Sequence, residues 1–70
     1  MDIQQLVGRN VRTIRLRRRL SQEELAFETG LHRTYISGIE RGVRNPTVGV
    51  LDIIASALKV PASRLLENVD

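Results

Sequence analysis

Arginines dominate the residues able to do chemistry in this chain. Residues 9–44 hold Arg9, Arg12, Arg15, Arg17, Arg18, Arg19, Arg33, Arg41 and Arg44 against Glu23, Glu24, Glu28 and Glu40, a local charge of +5, whereas residues 1–8 and 45–70 are each net −1. Ten of the eleven basic residues are arginine. A guanidinium forks two hydrogen bonds toward a phosphate or a base edge, so arginine in place of lysine points to a polyanionic partner. On composition alone, a solvated charged helix surface explains the surplus equally well. Other chemistry is poorly supplied: there is no cysteine, and the single histidine, His32, cannot assemble a histidine-rich metal site. No acid–base pair or nucleophile constellation stands out. The expectation is a non-enzymatic protein with no metal, no cofactor and no small-molecule ligand.

Seventy residues make one domain, 1–70, which buries roughly 60% of the surface its unfolded chain exposes. Without disulfides or metal, helix packing and self-association must stabilise it. No apolar run approaches the roughly 20 residues of a membrane span, and Met1-Asp2-Ile3-Gln4-Gln5 lacks the basic and apolar segments of a leader. A cytoplasmic protein with no membrane partner is expected.

The elements that must position the arginines follow from apolar spacing. Ile3, Leu6, Val7, Val11 and Ile14 predict a first helix over about 3–19, interrupted only by Gly8. Ser21-Gln22-Glu23-Glu24 is a capping box that starts a second helix, with Leu25, Ala26 and Thr29 inward and Gly30 ending it. Residues 32–41 form a third, with Ile36 and Ile39 inward and Gly42 closing it. Gly42-Val43-Arg44-Asn45-Pro46 reads as a loop. Thr47 caps a fourth helix carrying Val48, Leu51, Ile54, Ala55 and Leu58, and Pro61 opens a short fifth containing Leu65 and Leu66. Nothing alternates with period two. The predicted fold is all-α, a compact five-helix bundle.

Two short helices joined by a tight glycine turn, the second polar on its outer face, are the parts of a helix-turn-helix. The segments Leu20-Ser21-Gln22-Glu23-Glu24-Leu25-Ala26, Gly30-Leu31 and Tyr35-Ile36-Ser37-Gly38-Ile39-Glu40-Arg41-Gly42 resemble the phage repressor and Cro type of helix-turn-helix family. The likeness extends through Gly8, Arg15, Arg44-Asn45-Pro46, Leu51, Ala55, Leu58 and Leu65-Leu66. The run His32-Arg33-Thr34-Tyr35-Ile36-Ser37 with Glu40-Arg41-Gly42 is similar to controller proteins of restriction-modification systems. The resemblance implies a lambda-repressor-like DNA-binding domain with its helix-turn-helix core at about 21–41.

Under that resemblance the third helix enters the DNA major groove. Arg33 is then the leading base reader, since its fork matches guanine O6 and N7; Thr34 can touch a thymine methyl, and Ser37 lies one turn along the face of Arg33. Gln22, at the start of the second helix, is a phosphate contact, as are Arg41 and Arg44 beyond the third helix, joined by Asn45 unless that residue only shapes the turn. Tyr35 either sends its hydroxyl to a phosphate or packs its ring over the following turn. Successive helix residues rotate by about 100°, so of the first-helix arginines Arg17 and Arg18 are the expected phosphate contacts. The resemblance also implies a partly buried ion pair between Arg15 and Glu40. His32 departs from the serine or threonine usual at its cap position, acting either as a cap or toward a phosphate, with the cap favoured. Phe27 either covers the bundle's flank or belongs to a contact surface.

The fourth helix is apolar over two stripes, and a monomer needs one. Val50, Ile53 and Ala57, with Leu66 and Val69, are the candidate homodimer interface, in a dimerisation region over about 48–70. A dimer would select a palindromic double-stranded operator with half-sites about 10 base pairs apart. The expected function is a sequence-specific transcriptional regulator. Two others compete: an antitoxin-type protein-interaction module with secondary DNA binding, and structure-indifferent nucleic-acid binding through the arginine-rich first helix.

Overall fold

The computed structural model describes residues 1–68. Within them the chain forms four α-helices, α1 (Ile3–Arg17), α2 (Gln22–Thr29), α3 (Arg33–Glu40) and α4 (Val48–Leu58), followed by a 3-10 segment, Ala62–Leu66. No strand occurs among the described residues. No helix among the described residues is long and apolar enough to cross a membrane.

Each α-helix starts at a side-chain cap. Asp2 accepts from the Gln5 amide at 2.8 Å while Gln5 accepts from the Asp2 amide at 3.2 Å, and Ser21 and Glu24 make the same reciprocal pair at 3.0 and 2.8 Å. The Thr47 hydroxyl accepts from Val50 N at 3.1 Å. Helix ends follow one pattern. Gly30 and Gly42 take positive φ, 73° and 77°, at the ends of α2 and α3, where a side chain would be strained. Arg19 and Lys59 do so without being glycine, at 58° and 60°. Beyond α1, Arg19 N donates to Leu16 O and Leu20 N to Arg15 O, a Schellman closure that pays for the left-handed residue with two satisfied carbonyls. This stops α1 at Arg17, two residues short of the length expected from spacing.

The five-helix count needs correction. The element after Pro61 is a single 3-10 stretch, stitched by Arg64 N donating to Pro61 O at 2.9 Å. Its carbonyls are met from elsewhere: the buried Asn10 amide of α1 donates to Leu65 O and Glu67 O, both at 2.8 Å. That clamp plugs Leu65 into the core and removes the need for a further α-turn.

Val7, Val11, Ile14, Leu25, Ala26, Ile36, Ile39, Leu51, Ile54, Ala55, Leu58 and Leu65 form one core shared by all five elements. Val48, expected on the inner stripe of α4, is 82% exposed; it is the first residue of that helix, where the stripe runs off the end of the core. Ile3, first in α1, is exposed for the same reason. Gly8 lets α1 approach α3 closely. A Cβ there would collide with Ile39 O and sit 2.8 Å from Glu40 O, both backbone atoms. Gly8→Ala gains about 1 kcal/mol of helix propensity, but overpacking against rigid backbone costs up to about 3 kcal/mol. The expected net result is a thermal midpoint lower by about 10 °C or more at this chain length, read by circular dichroism. An unchanged midpoint would refute the close approach.

Candidate nucleic-acid interface

Helix α3 has one buried side, Ile36 and Ile39, and one open side. Arg33 and Thr34 are exposed at its start, and Ser37 is half-buried one turn later. The three predicted readers therefore share the open side of α3 as one ridge. His32 precedes them as the cap: its Nδ1 accepts from Thr34 N at 3.1 Å, which leaves the Nε2 position for the ring proton in the neutral form. The structural reading of His32 thus holds.

The ridge is braced from behind. Arg15 Nε donates to Glu40 Oε2 at 2.6 Å and its Nη2 to Glu40 Oε1 at 2.9 Å, while Nη1 donates to Leu20 O at 2.8 Å. The two side chains are 8% and 3% exposed. The hydrogen bonds that Arg15 donates to Glu40 raise its already high pKa, against the opposing effect of burial. One bidentate pair thus links α1, the α1–α2 turn and the C-terminal end of α3. Gln22 completes it, its Nε2 donating to Glu40 Oε1 at 3.1 Å. The Gln22 side chain therefore faces this network, leaving one amide hydrogen and its backbone N–H for an outside acceptor. Every buried side-chain nitrogen and oxygen among the described residues has a partner.

Around the ridge, Arg41, Arg44 and Asn45 are exposed, and Arg41 Nε donates to Ser37 O at 3.3 Å. Tyr35 is half-buried against the core, with the Arg44 guanidinium 5.8 Å from its ring centre. Packing of the ring is therefore realised. Arg17 and Arg18 are exposed at the end of α1. Phe27 is 88% exposed on α2 beside Glu23, Glu24 and Glu28, so it covers no flank of the bundle.

Of the residues expected at a dimer interface, Ile53 and Leu66 are 43% and 47% exposed, whereas Val50 and Ala57 are half-buried against the core. Val69 lies outside the described residues. No group of three His, Cys, Asp or Glu side chains among the described residues is arranged to hold a metal ion.

Asn10 and Gly38 were not singled out from the sequence. Asn10 had a signal: it interrupts the apolar run Ile3, Val7, Ile14 at the helical position where another apolar residue belongs. Gly38 lies in the interior of α3 without a positive φ.

The profile of a helix-turn-helix family matches residues 11–65. The chain is 48% identical over 66 residues to control protein C.SmaI of Serratia marcescens, covering 94% of this chain and 79% of that one. It is 51% identical over 67 residues to control protein C.BamHI of Bacillus amyloliquefaciens, covering 94% and 83%. The crystal structure of the restriction-modification controller protein C.AhdI from Aeromonas hydrophila superimposes with a TM-score of 0.86 at 39% identity, covering 89% of this chain and 94% of that one.

Proposed function

The chain belongs to the helix-turn-helix family, and from that premise we propose that it is a sequence-specific transcriptional regulator binding a palindromic DNA operator as a homodimer, in the manner of a restriction-modification controller. The observation that carries this reading is the set of exposed Arg33 and Thr34 and half-buried Ser37 on a helix braced by Arg15, Glu40 and Gln22. A reading helix works only if its angle to the scaffold is fixed, because displaced donors miss the base edges.

In this mechanism α3 lies in the major groove. Arg33 donates twice to a guanine, and Thr34 and Ser37 contact neighbouring base edges. The Tyr35 hydroxyl, Arg41, Arg44 and Asn45 meet the sugar-phosphate backbone on one side of the groove, and Gln22, Arg17 and Arg18 meet it on the other. Val50, Ile53, Ala57 and Leu66 join two copies, so that two α3 helices face half-sites about 10 base pairs, or a multiple of that, apart. Regulation then follows from operator arrangement, through occlusion or recruitment of polymerase.

Selection of bound duplexes from a random library tests the proposal directly. Two related half-sites of fixed spacing are expected. Arg33→Ala should change the preferred base at one position of each half-site, at about 1–3 kcal/mol of lost discrimination. Arg44→Ala should weaken all duplexes alike and flatten the salt dependence. Loss of preference on Arg44→Ala with none on Arg33→Ala would invert these roles, and recovery of no common sequence would overturn the reading.

A further inference from the structure

Gly38 is buried although Thr34, one turn before it, and Arg41, the residue after the helix, are exposed and Ser37 beside it is only half-buried. What covers it is Arg44. A Cβ at Gly38 would lie 2.5 Å from Arg44 Cγ, 3.5 Å from its Nε and 3.6 Å from its Cβ. Gly38 also anchors the start of the loop, its carbonyl accepting from Val43 N at 3.0 Å and Arg44 N at 3.2 Å. Its backbone does not call for glycine, since among glycines only Gly30 and Gly42 have positive φ. A mid-helix glycine of ordinary conformation weakens its helix relative to alanine, so close approach is the remaining physical reason for one here. Tyr35 stands three residues before Gly38, on the same side of α3, and its ring sits under the Arg44 guanidinium at 5.8 Å.

We propose that Gly38 is a positioning residue for DNA binding: the notch left by its missing side chain seats the Arg44 stem, and the Tyr35 ring holds the guanidinium on the flank of α3 before DNA arrives. The proposal rests on the DNA-binding reading above. A free arginine loses much rotamer entropy when a contact immobilises it; a seated one has already lost it on folding, which leaves more of the contact energy for affinity. The notch therefore acts only through Arg44.

The test is a double-mutant cycle on operator affinity, using the duplex selected by the wild type. Gly38→Ala should stay folded with a somewhat lower thermal midpoint, because the nearest obstructing atom is Arg44 Cγ, near the root of the side chain, and relieving it takes rotation of the whole exposed Arg44 side chain out of its seat. It should weaken operator binding about five- to tenfold. In the Arg44→Ala background the same change should alter affinity less than twofold, a non-additivity that a merely structural role would not produce. A second cycle leaves the notch intact: Tyr35→Leu compared with Tyr35→Phe, which keeps the ring and drops the hydroxyl, should weaken binding severalfold only when Arg44 is present. This cycle decides the matter if Gly38→Ala folds poorly. Additive losses in either cycle, or an operator-selective wild type matched by a folded Gly38→Ala chain, overturn the seat and leave the DNA-binding reading standing. A wild type that prefers no duplex overturns both.

Discussion

Glu40→Ala is expected to unfold the protein rather than alter its sequence preference. Glu40 lies at the end of α3, the proposed reading helix, yet both its oxygens face inward to Arg15 and Gln22. Removing it leaves a guanidinium with 8% side-chain exposure paired only to Leu20 O. Breaking a buried pair on one side costs about 3–5 kcal/mol. A domain of this length has only about 3–10 kcal/mol in total, at roughly 0.05–0.15 kcal/mol per residue. The thermal midpoint should fall by about 15 °C or more, and any chain that remains folded should select the wild-type operator. Removing both charges is gentler: Arg15→Met with Glu40→Leu should recover much of the loss, since apolar replacement of a buried pair leaves no orphaned charge. A Glu40→Ala chain melting with the wild type would eliminate the brace.

That prediction also marks where the sequence was legible. The capping box Ser21–Glu24 and the left-handed glycines are short-range signals, and they place the helix-turn-helix at the positions where the structure has it. The Arg15–Glu40 pair spans 25 residues, and spacing alone did not imply it; the family resemblance did. The partners of residues that depend on distant packing were not readable, even where, as at Asn10, a polar residue in an apolar stripe marked the position. Asn10 clamps carbonyls 55 and 57 residues away, which is why the last element stays a 3-10 stretch. Arg19 and Lys59 end their helices in a conformation that their side-chain types disfavour, so no local signal marked those ends. Gln22 has a residue type suited to phosphate, and only the position of Glu40 turns its amide inward. Helix existence therefore came from local pattern, whereas helix ends and side-chain direction came from tertiary contacts.

The second large effect is expected from Ile53→Asp. Ile53 and Leu66 expose more apolar surface than a marginal domain needs, while the core positions of α4, Leu51, Ile54, Ala55 and Leu58, are satisfied within one chain. In a two-fold dimer a single substitution occurs twice, so Ile53→Asp places two carboxylates in the proposed contact, where desolvation and mutual repulsion oppose association. The individual chain should still fold, with some loss of midpoint because mass action no longer favours the native state. DNA binding should suffer far more. In a dimer the second half-site is engaged at a high effective concentration, and losing that tether weakens operator affinity by about 10²–10⁴. Sedimentation should show a monomer at tens of micromolar, and the affinity for a full palindrome should drop to that for a single half-site. A wild type that sediments as a monomer and binds one half-site as tightly as two would remove the dimer from the mechanism, and a dimeric Ile53→Asp chain would move the interface away from this face of α4.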